Sequence, residues 1–95
     1  MNAEFHEEYR KLGQNIAFFR KDRGLTQLQL AELLDIDRSH MSAIELATVG
    51  VSLDVIFRAC RVLRLNPREL FDFRTSKRYP YGYLFLMCEI WIEPF

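Results

Sequence analysis

The chain has 95 residues, 49% of them hydrophobic and 14% aromatic, and its 13 Lys and Arg balance 13 Asp and Glu. This length allows one small domain with an appendage, and the apolar content is sufficient for a core without metal or disulfide staples. A formal net charge of zero argues mildly against nucleic-acid binding, for which a basic domain is the usual electrostatic footprint, although the distribution of charge matters more than its sum.

The N-terminal residues do not form the apolar run of a secretion signal, because Glu4, Glu7 and Glu8 interrupt it. Cys60 and Cys88 lie far apart and lack the spacing of metal ligands. Reduced thiols and a cytoplasmic location are therefore expected.

Apolar residues at steps of three and four predict a first helix that begins after Asn2 and runs to Arg23. Gly24 is the type of residue that commonly ends a helix in the left-handed conformation. Gly13, inside the helix, costs about 1 kcal/mol relative to alanine and suggests close packing against another element. The stripe expected to face inward consists of Phe5, Tyr9, Leu12, Ile16 and Phe19.

Residues 25–45 then predict two short helices joined by a tight turn. Thr26 is a good N-cap for the first of these helices, and Gln29 completes a capping-box pattern. The apolar face of this helix is formed by Leu30, Ala31 and Leu34.

Asp37 is placed to cap the second helix, predicted from Arg38 to about Leu46. Met41 and Ile44 are expected to be buried. The outer side is left with a small, sparsely charged surface that fits a groove, formed by Arg38, Ser39, Ser42 and Ala43.

This stretch resembles the helix-turn-helix of the Cro and phage-repressor family, the xenobiotic-response-element type of bacterial regulator. The resemblance is carried by Gly24-Leu25-Thr26-Gln27, Leu30-Ala31, Ile36 and Met41-Ser42-Ala43-Ile44-Glu45, and it extends from about Leu12 to Phe71. It implies an all-α, five-helix lambda-repressor-like domain that binds double-stranded DNA. The second helix of the motif, the recognition helix, would lie in the major groove. It also implies a homodimer on a near-palindromic operator.

The resemblance further implies that Arg20 in the first helix pairs with Glu45 at the end of the recognition helix. The alternative is two unrelated surface charges. By the same resemblance, Gln27 contacts phosphate and helps to hold the recognition helix. Arg38 and Ser39 reach base edges, and His40 contacts phosphate or is an ordinary surface histidine. The full set of residues expected to contact DNA is Thr26, Gln27, Arg38, Ser39, His40, Ser42 and Ala43.

One loop and one turn residue depart from the pattern of that family. The loop Leu46-Ala47-Thr48-Val49-Gly50-Val51 carries no charge where relatives commonly have basic and polar residues that contact phosphate. Asp35 replaces a common glycine in the turn, although aspartate tolerates left-handed geometry better than most residues. The first departure weakens the expected affinity for the DNA backbone.

Ser52 is predicted to cap a fourth helix, and Asn66 with Pro67 and Glu69 to start a short fifth helix that ends near Phe73. The inner face of the fourth helix is expected to hold Leu53, Ile56, Cys60 and Leu63, and the fifth helix to bury Leu70 and Phe71. Arg58, Arg61 and Arg64 are expected to form a solvated face.

Residues 1–74 therefore form the predicted DNA-binding domain, and residues 75–95 a C-terminal extension of linker and apolar segment. Residues 83–92 are apolar except for Glu89, and ten residues are too few to cross a bilayer, which takes about 20. The alternation favours a β-strand, while a helical stripe remains open. The extension is expected to build a homodimer or to cover Phe18 and Phe57, through Leu84, Phe85, Leu86, Met87, Ile90 and Trp91.

An enzyme is not expected, because His6 and His40 lack a partner at catalytic spacing and no phosphate-binding glycine loop is present. No cofactor or metal is expected either. The leading hypothesis is a cytoplasmic transcriptional regulator, most simply a repressor. The alternatives are an antitoxin whose tail binds a partner protein, and a protein-interaction module that has lost DNA binding.

Overall fold

The computed structural model describes residues 2–74, in which five α-helices follow a short 3-10 turn at Ala3–Phe5. The helices are α1 (His6–Asp22), α2 (Gln27–Leu34), α3 (Arg38–Glu45), α4 (Leu53–Leu63) and α5 (Pro67–Leu70). The predicted five-helix architecture is confirmed. The apolar extension, including its predicted strand and its six dimerisation residues, lies outside the described residues.

The helix starts follow local capping chemistry. The side chains of Thr26, Asp37, Ser52 and Asn66 each accept a hydrogen bond from a backbone N–H in the first turn of their helix. Capping satisfies donors that would otherwise have no partner at a helix start, which is why the sequence places these boundaries well.

One core joins all five helices. It contains Leu12, Ile16 and Phe19 of α1, Leu30, Ala31 and Leu34 of α2, Met41 and Ile44 of α3, Ile56, Ala59, Cys60 and Leu63 of α4, and Leu65 and Leu70 near α5. Burial raises the pKa of the Cys60 thiol, so this cysteine acts as a small core residue.

Three residues predicted to face the core are exposed in the described part of the chain. Phe5 is 46% exposed because it lies in the 3-10 turn, before the part of α1 that packs on other helices. Leu53, at the first turn of α4, is 61% exposed, and Phe71 is 43% exposed because α5 ends at Leu70 rather than near Phe73. Each error falls at a helix end, where periodicity does not determine whether a neighbour is present.

A buried asparagine joins the two ends of the domain. The Asn15 side-chain nitrogen donates to the carbonyl oxygens of Leu70 at 2.8 Å and Asp72 at 3.1 Å. These bonds satisfy two carbonyls at the end of α5, which has too few turns to hold its position alone.

Arg58 does more than form a solvated face, because its guanidinium donates to the Leu34 carbonyl at the end of α2, at 3.0 Å. This hydrogen bond joins α4 to the helix-turn-helix.

No helix within residues 2–74 is long and apolar enough to cross a membrane.

Candidate nucleic-acid interface

The two helices that form the candidate interface, α2 and α3, are joined by a turn at residues 35–37. Thr26 and Gln29 form the predicted capping box, with Gln29 N–H to Thr26 Oγ1 at 3.1 Å and Thr26 N–H to Gln29 Oε1 at 2.8 Å. Asp35 ends α2 with a φ of 59°, the left-handed conformation expected at a position where relatives commonly have glycine. The chain therefore changes direction between α2 and α3 with an aspartate, rather than a glycine, in the left-handed position.

The start of α3 is open to solvent. Arg38, Ser39 and His40 are all exposed in the first turn of the helix. Asp37 Oδ1 accepts from the His40 backbone N–H and from Ser39 Oγ, both at 2.8 Å. These two hydrogen bonds hold the pKa of the Asp37 carboxyl below its ordinary value, so the group is ionised at neutral pH.

The end of α3 is held by a buried ion pair with α1. Arg20 Nε lies 2.7 Å from Glu45 Oε2, and Arg20 Nη2 lies 3.1 Å from Glu45 Oε1. The two side chains are only 9% and 6% exposed. The residues that the resemblance pairs are thus in contact, in the two-pronged geometry that suits guanidinium and carboxylate.

Gln27 and Leu25 complete this buried polar group. Gln27 Nε2 donates to Glu45 Oε1 at 3.0 Å, and Arg20 Nη1 donates to the Leu25 carbonyl at 2.9 Å. The first residue of α2 is therefore tied to the last residue of α3. Sequence reasoning associated Gln27 with the recognition helix only through the family resemblance and did not identify Glu45 as its partner.

Gly13 permits the close approach of α1 to α3. A Cβ atom at this position would lie 2.6 Å from the carbonyl oxygens of both Ile44 and Glu45. The predicted close packing is confirmed, and the partner is the C-terminal end of the recognition helix.

A cleft of about 550 Å³ lies beside this ion pair. Ser42 of α3 and Gln27 of α2 line it on one side, and a stripe of α1 on the other, formed by Arg10, Gln14, Ala17 and Lys21. The sequence analysis did not connect Arg10, Gln14 and Ala17 with α2 and α3, because the inward-facing stripe of the same helix dominated the pattern.

The remaining predicted DNA contacts lie on α2 and α3, and two of them, Gln27 and Ser42, line this cleft. Thr26 is exposed, while Gln27, Ser42 and Ala43 are half-buried. In the loop after α3, Ala47 is buried with a φ of 60°, and the uncharged side chains of Leu46 and Val49 are exposed. The described loop therefore offers backbone groups and apolar surface rather than a cationic clamp.

Comparison with known proteins shows a match of residues 16–70 to the helix-turn-helix family model HTH_3. The chain is 36% identical to the control protein C.BamHI of Bacillus amyloliquefaciens over 64 residues, which are 66% of this chain and 79% of that protein. It is also similar to the crystal structure of the restriction-modification controller protein C.AhdI from Aeromonas hydrophila, with a TM-score of 0.68 and 35% identity over 72% of this chain and 99% of that one.

Proposed function

Because the chain belongs to this helix-turn-helix family, it is a DNA-binding transcriptional regulator, and we propose that it represses transcription by binding a near-palindromic operator as a homodimer. The two similar proteins are controllers, one of them of restriction-modification. By that similarity, the genes proposed to be under control are those of a restriction-modification system.

The observation that carries the proposal is the contrast between the two ends of α3. Its last residue is held by the Arg20–Glu45 pair, while the side chains of its first turn are exposed. A helix held at one end and open at the other can enter the major groove, which admits an α-helix, without losing its orientation.

The residues of the first turn supply the proposed base contacts. Arg38 is proposed to make a bidentate contact to guanine, and Ser39 to reach an adjacent base. Gln27 and His40 are assigned to phosphate, Thr26 to the DNA backbone, and Ala43 to a thymine methyl, with Ser42 as a weaker contact. Gln27 is especially suited to its role because it also bonds Glu45, and thereby links a phosphate contact to the recognition helix.

A homodimer sets the form of the operator. Equivalent recognition helices of dimeric readers lie about 34 Å apart, so the half-sites are expected one helical turn apart. The proposed dimer contacts are Leu84, Phe85, Leu86, Met87, Ile90 and Trp91, together with the second copy of the same segment.

The test is selection of bound duplexes from a random pool by the full chain, followed by titration of the selected site over a range of salt concentrations. We expect an inverted repeat, and a log–log plot of affinity against salt with a negative slope that reports the phosphate contacts. Arg38→Ala should remove about 1–3 kcal/mol of discrimination at one base pair per half-site and leave the thermal midpoint unchanged. Equal weakening on every sequence would assign Arg38 to phosphate instead.

One observation favours a second candidate, a protein-interaction module that no longer binds DNA. The loop after α3 lacks charge, and the whole chain has no net positive charge. In that case no duplex is enriched, and no salt-dependent binding is seen even at low ionic strength.

A further inference from the structure

Asp37 and Ser39 form a hydrogen bond at the open end of the recognition helix whose direction is determined by chemistry. The Ser39 Oγ lies 2.8 Å from Asp37 Oδ1. An ionised carboxylate only accepts hydrogen bonds, so the Ser39 hydroxyl must be the donor. The low pKa of Asp37 keeps the carboxylate in this form at neutral pH.

A serine hydroxyl has one proton and two acceptor lone pairs. With its proton on Asp37, Ser39 presents only acceptor capacity to a molecule that approaches from solvent. Hydrogen bonds to an ionised acceptor are about twice as strong as neutral ones, so a base edge must compete with a strong local partner to recover that proton. The exposed serine is thus biased toward accepting.

Base edges in the major groove divide by the same property. Adenine N6 and cytosine N4 are amino donors, whereas N7 of either purine, guanine O6 and thymine O4 are acceptors. The Asp37 carboxylate is exposed two residues before Ser39 and carries a negative charge, so it also disfavours acceptor atoms near this point. Arg38, between the two, has donors only.

We propose that Ser39 reads its base as a hydrogen-bond acceptor, so that each half-site carries an exocyclic amino group, adenine N6 or cytosine N4, where Ser39 meets the major groove. This inference depends on the proposed binding of DNA through α3 and specifies the base chemistry that this binding selects. Arg38 and Ser39 then have opposite hydrogen-bond polarity, and Asp37 acts as a positioning residue that need not touch DNA.

The test uses the full chain and the duplex that it selects. Ser39→Ala should lose about 3–10-fold of the preference at one position per half-site, the effect of one net hydrogen bond, and retain the others. Ser42→Ala removes the same hydroxyl from the same helix; because Ser42 is itself a weaker proposed contact, any loss that it causes should fall at a different position and leave the preference at the Ser39 position intact. Far-UV circular dichroism and thermal melting check that both variants fold.

Base analogues then identify the atom that Ser39 contacts. At the Ser39 position, purine replaces adenine, or 2-pyrimidinone replaces cytosine, to delete the amino group alone. Deletion should weaken wild-type binding about 3–10-fold and have no further effect on Ser39→Ala. Replacement of N7 by carbon, with 7-deazapurines, should change the affinity of both proteins equally, both at the Ser39 position and at the neighbouring guanine proposed for Arg38.

Asp37→Asn tests the cause of the polarity. An asparagine side chain caps a helix about as well as aspartate but is a weaker acceptor for the Ser39 hydroxyl. The cost of amino-group deletion should therefore fall below its wild-type value in Asp37→Asn. Full retention of that cost would show that the carboxylate does not set the polarity, and would overturn the inference.

Two further outcomes separate this inference from the proposed function. If Ser39→Ala is instead coupled to loss of an N7 acceptor, the hydroxyl donates, and the inference is wrong while DNA reading by α3 stands. If the wild-type chain enriches no duplex, the proposed function fails, and the inference fails with it.

Discussion

At the residue scale, the orientation of the recognition helix depends on three polar side chains and one glycine that lie beneath its C-terminal end. Arg20, Glu45 and Gln27 hydrogen-bond to one another, and the Arg20 and Glu45 side chains are nearly buried. Gly13 lets the α1 backbone reach the carbonyl groups of α3. These groups are not positioned to touch bases, but they set the angle at which α3 is presented.

Arg20→Ala should lower the free energy of unfolding by about 3–5 kcal/mol, because the buried Glu45 carboxylate loses its charge partner. Urea denaturation measures the loss. Arg10→Ala is the matched control on the same helix, since the Arg10–Glu7 pair is 40% and 57% exposed and solvent screening should leave it little effect on stability. Similar losses in the two variants would contradict the assignment of Arg20–Glu45 as a buried, orienting pair.

Gly13→Ala should have two opposing effects on stability, a gain in helix propensity and a steric clash with α3. Alanine gains about 1 kcal/mol in a helix interior, but its Cβ would meet two backbone oxygens at 2.6 Å, and backbone cannot rotate away. We expect a net loss of about 1–3 kcal/mol in stability, together with weaker DNA binding because α3 must shift. A gain in stability would show that α1 and α3 separate freely.

Gly24→Ala is the comparison for Gly13→Ala. It also strains the backbone, at a φ of 73°, but nothing lies within 4 Å of its added Cβ. It should cost stability through conformation alone and leave the affinity of the folded protein for DNA unchanged.

At the scale of elements, the domain ends α2, α3 and α4 with left-handed residues that are not glycine. Asp35, Ala47 and Arg64 have φ values of 59°, 60° and 59°. A left-handed L-residue costs roughly 1–2 kcal/mol, and local hydrogen bonds offset part of this cost where the N–H groups of Asp35 and Arg64 donate to carbonyls of their own helices. Of the three residues, Ala47 is buried, whereas Asp35 and Arg64 are exposed.

Arg64→Gly should raise the free energy of unfolding by about 1 kcal/mol, because glycine removes the left-handed penalty at the C-cap of α4. Thermal melting should show a rise of about 4–8 °C per kcal/mol for a domain of this size. Arg61→Gly, three residues earlier in the same helix, should do the opposite and cost about 1 kcal/mol. The prediction fails if both glycine variants change the midpoint in the same direction.

At the scale of the whole molecule, the zero net charge should reduce the non-specific, electrostatic part of DNA binding. In a chain whose 13 basic and 13 acidic residues cancel, the overall charge supplies no net attraction toward the DNA backbone. The non-specific component of binding should be small, so discrimination between sequences must come from base contacts and from two recognition helices acting together. Assembly of two copies is therefore central to the proposed function.

Replacing Leu86 and Ile90 together by glutamine should raise the dimer dissociation constant by about tenfold or more, since it removes apolar burial from the proposed interface. Analytical ultracentrifugation measures the change, and operator affinity should fall with it. The control is Leu28→Gln with Leu33→Gln, which alters two exposed leucines of α2 outside the extension. An unchanged association constant in the Leu86 and Ile90 variant would rule out this segment as the dimer contact.

The sequence by itself determined the helices and their starts. The capping pairs Thr26 with Gln29 and Asn66 with Glu69, and the inward spacing of Leu12, Ile16 and Phe19, lie within the reach of a helical turn. Such signals are local: they depend on hydrogen bonds and faces that a single helix supplies. The family resemblance added the Arg20–Glu45 pair, which no local rule predicts.

Only the tertiary structure decided which groups meet across the helices. The Gln27–Glu45 bond, the contact beneath Gly13 and the exposure of Leu53 all depend on the positions of residues far along the chain or on the absence of a neighbour. Periodicity states that a side chain lies on one face of a helix, but it does not state what stands opposite. Burial is a property of the packed molecule, and for this reason it had to be read from the fold.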